Sequence, residues 1–225
     1  MSGVTSRPQS AVRRKPATER RAEITETAAS IAVSEGLDKL TAKRVAETLG
    51  VFPGLVTHYF ATADELVAAA FAHAAAQERE DLFGRAGAAG LPRDQMRRLL
   101  AAWLHEDRDP VSLLWLDAWQ ASRRRPALKD EVTRQMIADL DRLSALIRAG
   151  TGDFRVADPR ETAIQILGLI DGLSVQAATR SALDYAPVRD MVIITAERLL
   201  GLGPGTLRPS ARYGPVSVPG GARPG

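Results

Sequence analysis

The 225-residue chain is 45% apolar and only 5% aromatic, and alanine and leucine dominate its apolar residues. This balance is typical of a helical globular protein with a substantial core. The absence of cysteine excludes disulfides, thiolate zinc sites and cysteine nucleophiles. No apolar run reaches about 18 residues, and the basic N-terminus lacks the apolar segment of a secretory signal. We therefore expect a soluble cytoplasmic protein with no membrane partner.

The net charge of +3 is concentrated at one end of the chain. Residues 1–60 hold nine Lys/Arg against six Asp/Glu, whereas residues 61–225 hold 21 of each sign. Because nucleic-acid binding depends on neutralising phosphates, this asymmetry favours a nucleic-acid partner for the N-terminal segment.

The first 18 residues are rich in Ser, Pro and Arg, and we expect them to be disordered. They are either a basic arm that follows phosphates or enters a minor groove, or a solvated tail. A first helix is predicted over residues 18–34, with Gly36 closing it.

Residues 40–60 predict two short helices joined by a tight turn. Thr41 is a suitable N-cap for the first helix, Gly50 suits its left-handed end, and Pro53 suits the first position of the second helix. The second helix is about seven residues long and needs its neighbours to be stable, and its expected apolar anchors are Val51, Val56 and Phe60. This pattern is typical of a DNA-reading helix-turn-helix.

The segment from about Arg20 to Phe71 resembles the N-terminal DNA-binding domain of TetR-family transcriptional regulators. The resemblance rests on Ala28, Ile31, Gly36, Thr41, Val45, Ala46, Leu49, Gly50, Val51, His58-Tyr59-Phe60 and Asp64-Glu65-Leu66. It implies a sequence-specific DNA-binding regulator whose second short helix enters the DNA groove.

At the start of the first short helix, the N-cap Thr41 can offer its hydroxyl and the helix's free N–H groups to a phosphate. By resemblance Lys43 can reach a base edge, and Arg44 is the nearby alternative, for a phosphate. The resemblance also turns Phe52, Pro53, Gly54, Thr57 and His58 toward the groove and Tyr59 toward the DNA backbone. The alternative for His58 and Tyr59 is that they only pack the small domain.

Three positions depart from the family pattern. Phe52 and Leu55 replace residues that are often polar, and Ala63 stands where a lysine commonly contacts a phosphate. Phe52 can touch a thymine methyl but cannot donate a hydrogen bond to a base.

Helical patterns continue to residue 201, so the fold is predicted to be all-α. Thr62 and Glu65 form a capping box that begins a long helix ending near Phe83. Further helices begin near Pro92, Pro110 and Pro126, the last of them ending near Arg148; two more run from Pro159 to about Ser181 and from Pro187 onward. The expected organisation is a disordered arm (1–18), a helix-turn-helix domain (19–62), a helical effector-binding and dimerisation domain (63–201) and a disordered Pro/Gly-rich tail (202–225).

The second half resembles the subgroup of the family that contains the betaine/choline-pathway repressors. The similar stretches are WLDAWQASRRRPALKDEV and ILGLIDGLSVQAA. The last two helices carry more apolar surface than a small body needs, so we expect them to form a four-helix bundle with a second copy. The expected interface residues are Ile164, Leu167, Gly168, Ile170, Leu173, Met191 and Ile194. The alternative is that these helices are only core.

The tryptophans are the second feature of this half. Trp103, Trp115 and Trp119 are either core residues or, with Phe71, Met136 and Asp117, the lining of an effector pocket. Aromatic faces beside a carboxylate would suit a cationic ligand. The sequence does not name the effector.

Nothing in the chain predicts an enzyme. It contains no catalytic motif or phosphate loop, its three histidines have no metal-ligand spacing, and no cofactor or metal is expected. The sequence predicts a homodimeric, ligand-released repressor that binds palindromic operators in double-stranded DNA. The alternative function is a helical small-molecule-binding protein whose DNA domain no longer works.

Overall fold

The computed structural model describes residues 16–88, 90–105, 108–177 and 186–208. Within these residues every regular element is helical, which confirms the all-α expectation. The α-helices are α1 (Ala17–Glu35), α2 (Ala42–Leu49), α3 (Pro53–Tyr59), α4 (Ala63–Gly87), α5 (Pro92–Trp103), α6 (Asp109–Ser122), α7 (Pro126–Ala149), α8 (Pro159–Ala177) and α9 (Ala186–Leu199), with a 3₁₀ turn at Leu37–Lys39. None of the helices described is both long and apolar enough to cross a membrane.

Local signals set the bounds of the two short helices. The Thr41 hydroxyl accepts a hydrogen bond from the Arg44 amide at 3.1 Å, and α2 begins there. Gly50 ends α2 at φ 65°, in the left-handed region that favours glycine. Pro53 then opens α3, whose Val56 is fully buried. These contacts fix the short second helix against its neighbours.

Helix α4 begins at the predicted capping box but ends later than predicted. Thr62 Oγ1 accepts from the Glu65 amide at 3.1 Å, and the Glu65 carboxylate accepts from the Ala61 amide at 3.0 Å. The predicted end near Phe83 is wrong, because the helix continues to Gly87. Burial of Phe83 and Ala86 against the C-terminal helices stabilises this last turn despite the glycines.

The helices enclose two apolar cores, and α4 contributes to both. The first core joins α1–α3 and the first half of α4 to α6 and the start of α7. The second joins the end of α4 to α5, the second half of α7, α8 and α9. Helix α4 therefore packs in both cores and leads at its start into the helix-turn-helix.

The predicted disordered tail is wrong at its beginning. Residues 202–208 fold back on the body, and Leu207 is only 1% exposed. The Glu197 carboxylate accepts hydrogen bonds from the amides of Gly205 at 3.0 Å and Leu207 at 2.8 Å, which holds the segment in place. The rest of the predicted tail (209–225), most of the predicted arm (1–15) and the predicted end of α8 near Ser181 lie outside the described residues.

Candidate nucleic-acid interface and cavity

Helix α3 presents one face to solvent. Phe52 is 87% exposed, and the neighbouring residues Pro53, Gly54, Thr57 and His58 are exposed as well. Leu55 is half-buried, so it does not share this face fully. The exposed face contains all but one of the residues predicted in and around this helix to contact DNA; the exception, Tyr59, is half-buried beside His58, with its ring centroid 5.2 Å from the imidazole.

The start of α2 offers one cation more readily than the other. The Lys43 side chain is 79% exposed and lies 3.9 Å from Glu47, at the limit of an ion pair. Arg44 instead binds Glu35 of α1 through two hydrogen bonds, of 3.1 and 2.6 Å, and this lowers the pKa of the Glu35 carboxyl. Arg44 therefore ties α2 to α1, and its contact with DNA remains a prediction.

Arg21 positions α3, a role that the sequence analysis missed. Its Nη1 donates a hydrogen bond to the carbonyl oxygen of Tyr59 at 2.6 Å, and its guanidinium lies 4.2 Å from the centre of the Phe60 ring. A cation at the C-terminal end of a helix stabilises that helix through its dipole. The position of the Arg21 guanidinium over the Phe60 ring adds a cation–π contact. No local pattern connects residues 38 positions apart, so only the fold reveals this link.

A cavity lies where the two apolar cores meet. It is open to solvent, and its space of about 590 Å³ includes the solvent at its mouth. Trp115 belongs to the first core and Trp103 to the second, and both line the cavity with Trp119 and Met136. All three tryptophans of the chain therefore line this cavity. Aromatic walls with a few polar groups are typical of a small-molecule site.

Two ion pairs cross the cavity wall beside α4. Arg108 Nε donates to Glu78 at 2.6 Å, and Arg79 Nη1 donates to Asp139 at 2.9 Å. Burial raises the pKa of Asp139 to about 6, although the hydrogen bond from Arg79 opposes that rise. These pairs join α4 to α6 and α7 through polar contacts at the junction of the two cores.

Asp171 is the exceptional carboxylate of the cavity. It lines the wall from α8 and has no hydrogen bond or ion pair with any described residue. Burial raises its pKa to about 6, and the positive charge of Arg108 only partly opposes this. The sequence did contain a signal for it, since this aspartate interrupts the otherwise apolar and small residues of ILGLIDGL.

Two residues predicted for the pocket lie elsewhere. Phe71 is fully buried in the first core, where its ring packs edge-on against Trp115 with centroids 4.9 Å apart, so it supports the cavity wall without lining it. The Asp117 carboxylate lies 3.5 Å from the Leu37 amide, at the junction of α1 and the 3₁₀ turn. Neither residue lines the cavity.

Helices α8 and α9 expose an apolar stripe. Ile164 is 54% and Met191 49% exposed, and the stripe also includes Gly168, Gly172, Val175 and Ile194. The prediction that Ile170 lies on this surface is wrong, because its side chain is 2% exposed and packs in the second core. Leu167 and Leu173 are half-buried. Apolar residues lie on both sides of α8, so the sequence pattern does not show which of them face the core and which face solvent. The fold makes that distinction.

No described group of histidine, aspartate or glutamate side chains is arranged to hold a metal ion. The polar residues of the cavity instead pair with arginines, apart from Asp171.

Comparison with known proteins assigns both halves of the chain. Residues 24–70 match the family described as bacterial regulatory proteins, tetR family, and residues 92–201 match the BetI-type transcriptional repressor C-terminal domain. The HTH-type transcriptional regulator BetI of Burkholderia thailandensis is 31% identical over 170 residues, which span 71% of this chain and 82% of that protein.

Two solved structures share the fold. A transcriptional regulator from Saccharomonospora viridis in complex with choline is 23% identical with a TM-score of 0.62, and the match covers 80% of this chain and 96% of that one. The multidrug binding protein EbrR complexed with proflavin is 27% identical with a TM-score of 0.55, and the match covers 78% and 98% of the respective chains.

The helix-turn-helix, the helical body and these matches define a DNA-binding transcriptional regulator. The chain belongs to the TetR family, and its C-terminal domain is of the BetI repressor type. This confirms the predicted family and the expectation of a regulator rather than an enzyme.

Asp171→Asn is expected to stabilise the protein without a ligand by up to about 3 kcal/mol at pH 7.5. The folded-state pKa of about 6 lies above the ordinary value of 3.8, so the carboxylate costs stability as the pH rises from about 4 to above 6. The neutral amide removes that cost. Thermal unfolding between pH 4 and 8 measures it, with Asp153→Asn, a half-buried residue outside the cavity, as control. A variant less stable than the parent at pH 7.5 would contradict the expectation.

Proposed function

We propose that this regulator binds palindromic operators as a homodimer and releases them when an organic cation occupies the cavity between its two cores. The single observation that carries the proposal is the position of that cavity, because α4 forms part of its wall and also leads directly into the helix-turn-helix. Since the partner is DNA, we place the protein in the cytoplasm.

The DNA contacts follow from the exposed faces of α2 and α3. We propose that Lys43 reaches a base edge, that the face formed by Phe52, Pro53, Gly54, Thr57 and His58 lies in the major groove, and that Thr41, Arg44 and Tyr59 contact phosphates. In helix-turn-helix proteins the second helix enters the groove and the first crosses the backbone. The exposure of α3 and of Lys43 supports this arrangement.

The apolar stripe on α8 and α9 supports pairing with a second copy. Gly168 and Gly172 leave open space on this stripe, so that a partner helix can approach closely. Ile164, Met191 and Ile194 would then exchange water contact for apolar contact, which favours association. We retain Leu167 and Leu173 at the margin of this proposed interface, and exclude Ile170.

The chemistry of the cavity favours a cationic effector. Three tryptophans offer aromatic faces, and Asp171 offers a carboxylate that has no ion-pair partner among the described residues. Ammonium groups bind favourably to such faces, and a cation beside Asp171 would offset the cost of burying its charge. The ligands of the two matched structures, choline and proflavin, agree with this class.

Release of DNA would follow from a shift between two states. A dimer fits a palindrome only when its two α3 helices are separated by about 34–36 Å, one turn of DNA. A ligand that prefers the state with another separation lowers DNA affinity by its difference in affinity for the two states.

Selection of bound sequences from a random DNA pool is expected to recover a palindrome. Lys43→Ala should then weaken operator binding by about 1–3 kcal/mol and relax preference at one base of each half-site. Lys39→Ala is the matched control, because Lys39 is exposed and already pairs with Asp38 at 3.1 Å. An unchanged footprint and affinity would remove Lys43 from the interface.

Ile164→Glu is expected to convert the dimer to a folded monomer by placing two unpaired charges in the apolar stripe. Ile137→Glu is the matched control, since Ile137 has similar exposure (47% against 54%) but lies on α7. Sedimentation measures the mass, and circular dichroism checks the fold. A dimer that survives Ile164→Glu would place the interface on another surface.

Binding of a cation is expected to quench tryptophan fluorescence, because all three tryptophans line the cavity. Choline and tetraethylammonium are suitable probes, and 3,3-dimethylbutanol is the neutral counterpart of choline. Asp171→Asn should weaken cation binding at least tenfold, and binding to the parent should weaken as the pH falls through about 6. Equal binding of the neutral alcohol, or an unaffected Asp171→Asn variant, would reject a cationic effector.

A further inference from the structure

The turn between α6 and α7 carries three consecutive arginines, Arg123 to Arg125, and lies close to the helix-turn-helix. Helix α6 runs antiparallel to the first half of α4. At its start Arg108 binds Glu78, and just beyond its end Arg125 Nη1 lies 3.7 Å from Asp64 Oδ1, in the first turn of α4. Glu78 and Asp64 are about 21 Å apart along α4. The turn therefore lies at the end of the C-terminal body that adjoins the DNA-binding helices.

This position is near the expected path of the DNA backbone. Asp64 follows His58, on the exposed face of α3, by six residues, and only the short 60–62 link separates α3 from α4. When a helix-turn-helix places its second helix in the major groove, the chain segments flanking that helix approach the phosphates on either side. The segment held by Arg125 is one of these.

The two preceding arginines are available for a ligand. Arg123 and Arg124 are exposed, and neither side chain has a hydrogen bond or ion pair with a described residue. Arg125 differs from them, because it pairs with Asp64 of α4, and Leu128, three residues later, anchors the start of α7 in the first core. Two free guanidinium groups on an anchored turn can bind anions without first breaking an internal contact.

Among the described residues of the helix-turn-helix, Lys43 is largely exposed, but several other cations are paired. Arg20 pairs with Glu23 at 2.7 Å, Arg44 with Glu35 at 2.6 Å and Lys39 with Asp38 at 3.1 Å. Ala63 also offers no charge at the start of α4. Because phosphate neutralisation supplies much of the affinity for DNA, further exposed cations beside the half-site would add to binding.

We propose that Arg123 and Arg124 bind phosphates of the DNA backbone beside the half-site, so that the C-terminal body contributes directly to DNA binding. The proposal rests on the docking of α3 proposed above. It also gives α6 a double role, since Trp119 of the cavity wall precedes Arg123 by four residues, one helical turn. A ligand that moves Trp119 would move these phosphate contacts with it.

The salt dependence of operator binding tests the proposal. The logarithm of the DNA-binding constant falls with the logarithm of the salt concentration, and each phosphate contact makes this fall steeper by about 0.9. Arg123→Gln/Arg124→Gln should therefore make the fall less steep by about 1.8 per bound subunit. Affinity should fall at least tenfold at about 0.15 M salt, with the preferred sequence unchanged, because phosphate contacts do not read bases.

Arg148→Gln/Arg155→Gln is the matched control, because it removes the same charge from two exposed arginines that have no side-chain partner among the described residues. Arg148 lies about 33 Å along α7 from the arginine turn. Its charge is therefore screened from DNA bound beside that turn, since charges are screened over about 8–10 Å. A slope equal to that of the parent in both double variants would overturn the proposal. If the parent binds DNA normally in that case, the proposed docking of α3 survives.

A second measurement does not depend on affinity. Because the chain has no cysteine, Arg124→Cys introduces a unique thiol to which iron–EDTA can be attached. The tethered reagent should cut the operator backbone just outside each half-site, whereas the same reagent at Arg148→Cys should leave it intact. Bound DNA that is not cut by the Arg124→Cys conjugate would overturn the proposal, even if the double glutamine variant failed to fold.

Discussion

The participation of α4 in two separate apolar cores is the constraint on which the rest of the structure depends. Leu66 and Phe71 fix its first half among the DNA-binding helices, while Phe83 and Ala86 fix its last turns among α5, α7, α8 and α9. A 25-residue helix is about 37 Å long and stiff over that length. The two cores therefore cannot change their relative position without tilting α4, and the capping box at Thr62 joins that tilt to α3.

The junction of the two cores is polar, and this has an energetic consequence. Partly buried ion pairs such as Arg79–Asp139 and Arg108–Glu78 gain in Coulomb energy roughly what they lose in desolvation, so they add little net stability. Asp171 has no ion-pair partner in the described part of the chain to offset its burial. Apolar side chains of similar size at this junction would make the packing of the two cores more stable. A weak junction between two firm cores is the arrangement that allows two discrete packings, and a regulator needs two such states.

The sequence predicted those features that local chemistry determines. Thr41, Gly50 and Pro53 specify the bounds of α2 and α3 within their own few residues, so the helix-turn-helix could be predicted from the sequence alone. The sequence put the three tryptophans in neighbouring helices but left open whether they were core or pocket lining, because that depends on how α5 and α6 pack. The Arg21 contact with Tyr59 could not be predicted, since it joins residues of distant helices. Ile170 was misplaced for a related reason, because periodicity does not say which side of an apolar helix meets its own core.

Helix α8 shows why that distinction matters for regulation. One side carries Ala163, Ile166 and Ile170 into the second core, and Leu167 and Asp171 line the cavity. The opposite side, marked by Ile164, Gly168 and Val175, is exposed. Neighbouring positions of one helix thus meet the cavity and the exposed stripe, so a ligand that shifts the backbone of α8 at Asp171 also shifts the stripe. If a second copy covers that stripe, occupation of the cavity changes the relative position of two subunits as well as two cores. The spacing of two α3 helices depends on both, which gives a single small ligand two additive ways to disturb the fit to DNA.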